Sequence, residues 1–380
     1  MKVFVIAGEP SGDRLGGALM AGLKALAPGV TFEGVGGAMM QAEGLQSLFD
    51  MEELSVMGLA EILPKYRHLK RRIRQTAQAA LAARPDVVIG IDSPDFCLRV
   101  ARLVKAGSDI RTLHYVAPTV WAWRPGRAAK MARVIDQVLV LFPFEPPYME
   151  AAGMDCDFVG HPIATEPPVT EDEIAAFRAR HGLEAGRGTL MVLPGSRRSE
   201  VTRLAPPFVA AHAQAGLGDM QVVLPTLPHL RDTVAEQFGG IGARVIDGAD
   251  LTAGQAARNR FVAMAAADLA LAASGTVSLE LAAARTPMVI AYDMAWLSRQ
   301  IIARMLRTDT VTLVNLVSET RVVPEFIGEN CRPERIAEGL RQVHAAPQAQ
   351  LEALELTMAR LGRGAEAPGL RAARAVLERL

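Results

Sequence analysis

The stretch Met1-Lys2-Val3-Phe4-Val5-Ile6-Ala7-Gly8-Glu9-Pro10-Ser11-Gly12-Asp13 decides the fold. Val3–Ala7 is a short apolar run rich in branched side chains and closed by glycine, which reads as a buried strand. Gly8 to Asp13 is a tight turn, and Leu15–Leu26 then repeats its apolar residues at helical spacing. Strand, turn and helix in that order are the opening of a parallel α/β sheet. The turn is neither G-x-G-x-x-G nor a P-loop, so the usual nucleotide fingerprints do not apply. Ser11 and Asp13 fit helix caps, while Glu9 falls at the carboxyl edge of the strand, where such sheets bind ligands.

The same rhythm recurs along the chain. Val87–Ile91, Thr112–Val116 and Val138–Leu141 read as further strands, separated by amphipathic stretches such as Ile73–Ala83. It breaks at Gly160-His161-Pro162 and Glu166-Pro167-Pro168, where the prolines can continue neither a helix nor a central strand. This is a linker. A second series follows at Leu190–Leu193, Gln221–Leu224, Arg244–Ile246, Leu269–Ala273 and Met288–Ala291, and the chain from Pro333 onward is helical. Two doubly wound domains in 380 residues predict a ligand cleft between them.

Composition narrows the function. The 41 Lys+Arg balance 41 Asp+Glu, so the basic surplus of a nucleic-acid binder is missing. Aromatic residues make up 5% of the chain, too few for a base-stacking platform. Cys97, Cys156 and Cys331 are far apart and form no C-x-x-C pair, which excludes a disulfide framework and a zinc ribbon and points to a reducing compartment. Neither a signal-peptide pattern nor a bilayer-length apolar run is present, and no Asp-x-Asp clamp in the second domain calls for a metal.

Three more turns carry chemistry. In Gly90-Ile91-Asp92-Ser93-Pro94-Asp95, Ser93 fits an N-cap, Pro94 the first helical position and Asp95 the first turn. A carboxylate there also suits a general base. In Leu193-Pro194-Gly195-Ser196-Arg197, Gly195 admits a close ligand, Ser196 caps the next helix in a box with the Ser199-Glu200 pair, and Arg197 offers a planar fork to phosphate. Ser274-Gly275-Thr276 presents hydroxyls and backbone N–H groups to a diphosphate, with Glu280 one turn on as a partner for a ribose diol. Leu59, Ile62, Leu63, Tyr66, Leu69 and Ile73 recur at helical spacing among Lys65, Arg67, Lys70, Arg71, Arg72 and Arg74, which fits either a core-facing helix or one lying on an anionic membrane. Trp121 and Trp123 lie near Arg124, Arg127 and Lys130, a set that suits a sugar-phosphate pocket or, for Trp121, core packing.

Taken together these segments resemble the lipid-A-disaccharide synthase family. The resemblance rests on GEPSGD (Gly8–Asp13), GVGGAMM (Gly34–Met40), MEELSVMG (Met51–Gly58), GIDSPDF (Gly90–Phe96), HYVAPTVWAWR (His114–Arg124), FVGHP (Phe158–Pro162), LPGSRRSEV (Leu193–Val201) and ASGTVSLE (Ala273–Glu280). The chain departs from the family pattern at Thr165, at Leu313-Val314-Asn315-Leu316 and at Glu319-Thr320.

The resemblance implies an α/β chain of two Rossmann-like doubly wound domains, a glycosyltransferase B fold. Residues 1–165 would face acceptor and membrane, completed by helices in 346–380, and residues 166–345 would bind the UDP-sugar. It implies inverting transfer of 2,3-diacylglucosamine from UDP-2,3-diacylglucosamine to the 6-hydroxyl of 2,3-diacylglucosamine 1-phosphate, with no cofactor and no metal. The implied location is the cytoplasmic face of the inner membrane, peripherally bound through the segment around Leu59–Ile73, with room for a homodimer. By position, Asp95 matches the general base and Arg197 with Ser274-Gly275-Thr276 the diphosphate contacts. Glu280 matches the ribose contact, and Glu9 falls at the cleft; Gly195 and Ser196 share the Arg197 turn. The rivals are another UDP-sugar transferase or epimerase of this fold, and a non-catalytic membrane-surface protein.

Overall fold

The computed structural model describes residues 1–54, 59–122, 126–294 and 308–380, and for 59–66 the backbone only. The chain divides into two compact units, residues 1–165 with 361–380, and residues 166–360.

The first unit is built on a seven-stranded sheet: β1 (Lys2–Ala7), β2 (Thr31–Val35), β3 (Gln46–Ser47), β4 (Val87–Ile91), β5 (Arg111–Tyr115), β6 (Gln137–Val140) and β7 (Asp155–Phe158). The second carries six strands: β8 (Thr189–Leu193), β9 (Gln221–Pro225), β10 (Arg244–Ile246), β11 (Leu269–Ala272), β12 (Met288–Tyr292) and β13 (Glu325–Ile327). Every neighbouring pair is parallel. Their orders, β3-β2-β1-β4-β5-β6-β7 and β10-β9-β8-β11-β12-β13, repeat one scheme. In both, the strand order reverses at one place, between β1 and β4 and between β8 and β11. Open α/β sheets bind ligands outside the carboxyl ends of the strands at such a switch point.

Central strands are apolar because helices cover both faces. Val87–Ile91 and Thr189–Leu193 are buried at every position. One cluster of the first unit joins Val3, Val5 and Ile89 to Leu19 and Leu23, and another joins Phe4, Ile6 and Val88 to Val100 and Val104, one on each side of the sheet. All nine strands read from the sequence are present, within about one residue at each end. The four it misses, β2, β3, β7 and β13, lie at or next to a sheet edge and are short or mixed with polar residues.

The structure corrects the expected return at residue 346. The helix Gln348–Arg360 stays with the second unit. There the buried Gln350 amide accepts from Met288 N at 2.8 Å and donates to Met288 O at 2.9 Å, pairing an otherwise buried strand end. Only the following segment, with the helix Pro368–Leu377, joins the first unit. It crosses the helix Pro10–Leu26 where both carry glycine: a Cβ on Gly22 would lie 2.7 Å from Gly369 O, and one on Gly369 2.6 Å from Ala18 O. No helix among the described residues is long and apolar enough to cross a membrane.

Candidate active site

In the second unit a cleft of about 920 Å³ opens at the carboxyl ends of β8, β9, β10 and β11. Gly195, Ser196, Arg197, Ser274, Gly275, Thr276 and Glu280 all line it, so the sequence-predicted nucleotide residues are gathered in one place. Gly195 takes φ +114°, and a Cβ on it would lie 2.5 Å from Glu200 Oε2. The space is filled by that carboxylate, which accepts N–H bonds from Ser196 at 3.1 Å and Arg197 at 3.3 Å and pairs with the Arg197 guanidinium at 3.2 Å. The helix Arg198–Ala215 is therefore capped from within by Glu200, with Arg197 at the N-cap; the expected Ser196 cap does not form. Glu200 also receives the Tyr292 hydroxyl at 3.4 Å; partial burial, and then the Glu200 charge, raise the Tyr292 pKa. Arg197 itself is exposed, its fork on the cleft wall.

Gly275, at φ +152°, has nothing within 4 Å of the place a Cβ would take, so the Ser-Gly-Thr turn meets open space. Glu280 is held by Arg260 at 3.0 Å. Arg260 also lines the cleft, and sequence reasoning missed it because it lies within a helix, Ala253–Ala265, among Arg258 and Asn259 with no motif to mark it. Opposite these polar groups the wall is apolar, with Leu227, Pro228, Ile246 and Leu251. Anion donors at one end and an apolar slot at the other suit a nucleoside diphosphate.

At the β1/β4 switch point of the first unit three carboxylates end the strands. Glu9 sits in extended backbone at the start of the helix Pro10–Leu26. Partial burial first, then the neighbouring Asp92 charge, raises its pKa. Asp92 and Ser93 both take left-handed backbone, φ +52° and +41°, uncommon outside glycine. Ser11 Oγ donates to Asp92 Oδ2 at 3.2 Å. A Cβ on Gly8 would lie 2.7 Å from Ser93 Oγ, so glycine there lets the two turns touch. Ser93 is at the N-cap of the helix Pro94–Gly107 but makes no side-chain cap bond, because its backbone is not extended. Asp95 is exposed in that helix's first turn.

Asp13 is not a cap. It is buried, 4% exposed, and its carboxylate accepts the N–H groups of Gly37 at 2.8 Å, Met39 at 2.9 Å and Met40 at 3.1 Å. It ties the β1 turn to the β2 turn. Asp13 and Asp92 are the residues the sequence reading undervalued. The first passes for an ordinary cap, and only three-dimensional neighbours reveal the second.

Of the amphipathic segment, Leu59, Ile62, Leu63 and Tyr66 have side chains outside the described residues, as do Trp123 and Arg124 entirely. Leu69 is half-buried and Ile73 buried. Arg72 grips Glu53 in a two-pronged ion pair at 2.8 and 2.6 Å, and His68 joins at 2.6 Å; these bonds hold the Glu53 carboxyl below its ordinary range. Arg67, Lys70, Arg71 and Arg74 remain as an exposed basic patch on the helix Leu59–Ala83.

Two parallel-sheet α/β domains, the second with a diphosphate-type cleft at its switch point, define the class of nucleotide-sugar enzymes with the glycosyltransferase B fold. Solved structures agree on the fold. UDP-GlcNAc 2-epimerase from Neisseria meningitidis bound to UDP-GlcNAc has a TM-score of 0.65 at 13% identity, covering 100% of this chain and 99% of that one. Sucrose-phosphate synthase from Thermosynechococcus elongatus has a TM-score of 0.62 at 13% identity, covering 100% and 98%. The family model LpxB, lipid-A-disaccharide synthetase, matches residues 3–359. Lipid-A-disaccharide synthase of Ruegeria pomeroyi is 66% identical over all of this chain and 96% of its own length, and that of Rhodospirillum centenum 48% over 99% and 94%. The chain belongs to the lipid-A-disaccharide synthetase family, and it is a glycosyltransferase of lipid A biosynthesis.

Proposed function

We propose that the chain joins two acylated glucosamines. The donor is UDP-2,3-diacylglucosamine, the acceptor the 6-hydroxyl of 2,3-diacylglucosamine 1-phosphate, and the products UDP and the β-1,6-linked disaccharide 1-phosphate. The observation that supports this reading is the gathering of the β1 and β4 turns at one switch point and of the β8 and β11 turns at the other, on top of family membership. In the second unit, Arg197 and the donors of Gly195, Ser196, Ser274, Gly275 and Thr276 take the diphosphate, and Glu280 takes the ribose diol. Transfer is a single displacement. A carboxylate removes the proton of the acceptor hydroxyl, the new C–O bond forms, and the bond to UDP breaks with its electron pair on the leaving phosphate. Arg197 and the turn N–H groups stabilise that charge, so no metal is required.

Asp95 is the base by its place in the family motif. A second reading has a specific observation in its favour. Asp92 is held by Ser11 on a strained backbone beside Glu9, whose pKa is raised by burial and, second, by the Asp92 charge. Single Asp92→Asn and Asp95→Asn variants separate the two, since the base variant loses about 10²–10⁴-fold in turnover. The patch of Arg67, Lys70, Arg71 and Arg74 suits peripheral attachment to anionic lipid, each charge contributing about 1 kcal/mol.

The test is turnover in detergent with both diacylated substrates and EDTA, following UDP and disaccharide. Disaccharide formation is the expected result. UDP release without disaccharide assigns another acceptor, and UDP binding without turnover favours a binding protein.

A further inference from the structure

Three neighbouring strand ends of the first unit carry aromatic rings that the proposed chemistry does not use. Trp121 follows β5, Phe142 and Phe144 follow β6, and His161 follows β7. Trp121 meets Phe144 edge-on with centroids 5.2 Å apart. Phe142 lies parallel to Phe144 at 5.4 Å and stacks on His161 at 5.6 Å. All four are half-buried, so the cluster keeps exposed ring surface at the carboxyl edge of the sheet. Strands lie about 4.8 Å apart, which puts the β6 end about 10 Å from the Asp92 turn on β4.

Beneath the rings is Glu145, 2% exposed. Its Oε2 accepts the Phe142 N–H at 3.0 Å, while its own N–H donates to Phe142 O at 3.2 Å. The side chain thus closes the four-residue turn that presents both phenylalanines. The Trp121 indole Nε1 is buried and makes no hydrogen bond of normal geometry among the described residues, although it lies close enough to favour the ionised form of Glu145. Burial wins: the Glu145 pKa is pushed up to about 8, so the neutral acid predominates at pH 7.

Resting on the transferase reading above, we propose that Glu145 is a positioning residue, and that the Trp121–Phe142–Phe144 platform it sets receives the sugar ring of the acceptor. The rings offer flat apolar faces to the C–H face of a pyranose, at the same sheet edge as the carboxylates and one to two strands from them. No cation is needed for this contact. Glu145 acts through the turn and does not touch the reacting atoms.

The experiment compares Glu145→Ala, Glu145→Gln and Phe144→Leu in the full chain. It reads acceptor KM, donor KM and kcat separately, together with equilibrium binding of 2,3-diacylglucosamine 1-phosphate in detergent. Glu145→Ala and Phe144→Leu are expected to weaken acceptor binding and raise its KM by roughly tenfold. Donor KM stays within about twofold, a difference too small to mark a lost contact. Glu145→Gln, a neutral isostere, restores the acceptor value. The proposal is overturned by unchanged acceptor binding in Glu145→Ala, by equal losses for donor and acceptor, or by Glu145→Gln behaving as Glu145→Ala does. If Glu145→Ala does not fold, Phe144→Leu decides by the same criterion. A wild type that binds the acceptor on this platform yet makes no disaccharide defeats the transferase reading and leaves the platform standing.

Discussion

The two sheets share one strand order, yet their ligand edges are built from different material. In the second unit the turns after β8 and β11 reach positive φ at Gly195 and Gly275, where glycine adopts it without steric cost. In the first unit the turns after β4 and β5 reach it at Asp92, Ser93 and Val116, which bear side chains. Such positions cost on the order of 1–3 kcal/mol each and persist only where surrounding contacts enforce them. A diphosphate needs approach to backbone N–H groups, and glycine supplies that. A carboxylate that must be aimed needs its own backbone twisted and buttressed. The second unit's ligand edge is thus encoded locally in its glycine turns, while the carboxylate edge of the first depends on contacts from another strand end.

The largest expected effect tests the nucleotide edge. Arg197→Ala removes the exposed guanidinium from the cleft wall and should lower kcat/KM for the donor by about 10²–10³-fold in steady-state assays. An equal loss in acceptor affinity would break the division between the units. Glu280→Ala should be milder, raising donor KM roughly tenfold with kcat kept, because a ground-state contact is lost and Arg260 is left unpaired. A collapse of kcat with unchanged KM would move Glu280 out of the binding role.

Stability changes sharpen the same contrast. Asp13→Asn leaves at least one of the three N–H groups that point at this buried carboxylate badly paired and should cost about 1 kcal/mol in a denaturant titration. No loss would show that the β1–β2 tie is dispensable.

A pH-dependent effect concerns Glu145. Its folded-state pKa of about 8 lies above its ordinary 4.5, so the folded chain holds the proton more tightly. Its contribution is fully present below about pH 4.5 and is lost as pH rises through about 8. The wild-type melting temperature should therefore fall relative to Glu145→Gln across that window. The Cys156 thiol nearby is pushed up to about 12 by burial and does not titrate there. His114 and His161, pushed down to about 4 by burial, act in the opposite sense between about pH 6.5 and 4 and cancel in the difference. A constant difference from pH 4.5 to 8 would contradict the buried acid.

How much of this was legible in the sequence follows the same line. The nine strands found were apolar runs, all but the edge strand β10 inside their sheets, and PGSR and SGTVSLE were readable because glycine, hydroxyl and strand end are local marks. Asp13 looked like a cap because its three N–H partners lie 24 to 27 residues away. Asp92 drew less attention than Asp95 since its neighbours Glu9 and Ser11 come from another strand end. The last boundary was misplaced by a helix, because the Gln350 bonds to Met288 span 62 residues. Asn315, in a stretch where the chain departs from the family pattern, is buried and bonded to Val323 on both sides of its amide, a clamp for the loop that follows.

The most direct test of the proposed division is the UDP affinity of a chain in which two of the three first-unit carboxylates, the candidate bases, are neutralised. Calorimetric titration of UDP into the Asp92→Asn, Asp95→Asn double variant should match the wild type within about twofold, a negligible binding energy, while disaccharide formation is lost. UDP binding lost together with turnover, or turnover retained, would contradict the account.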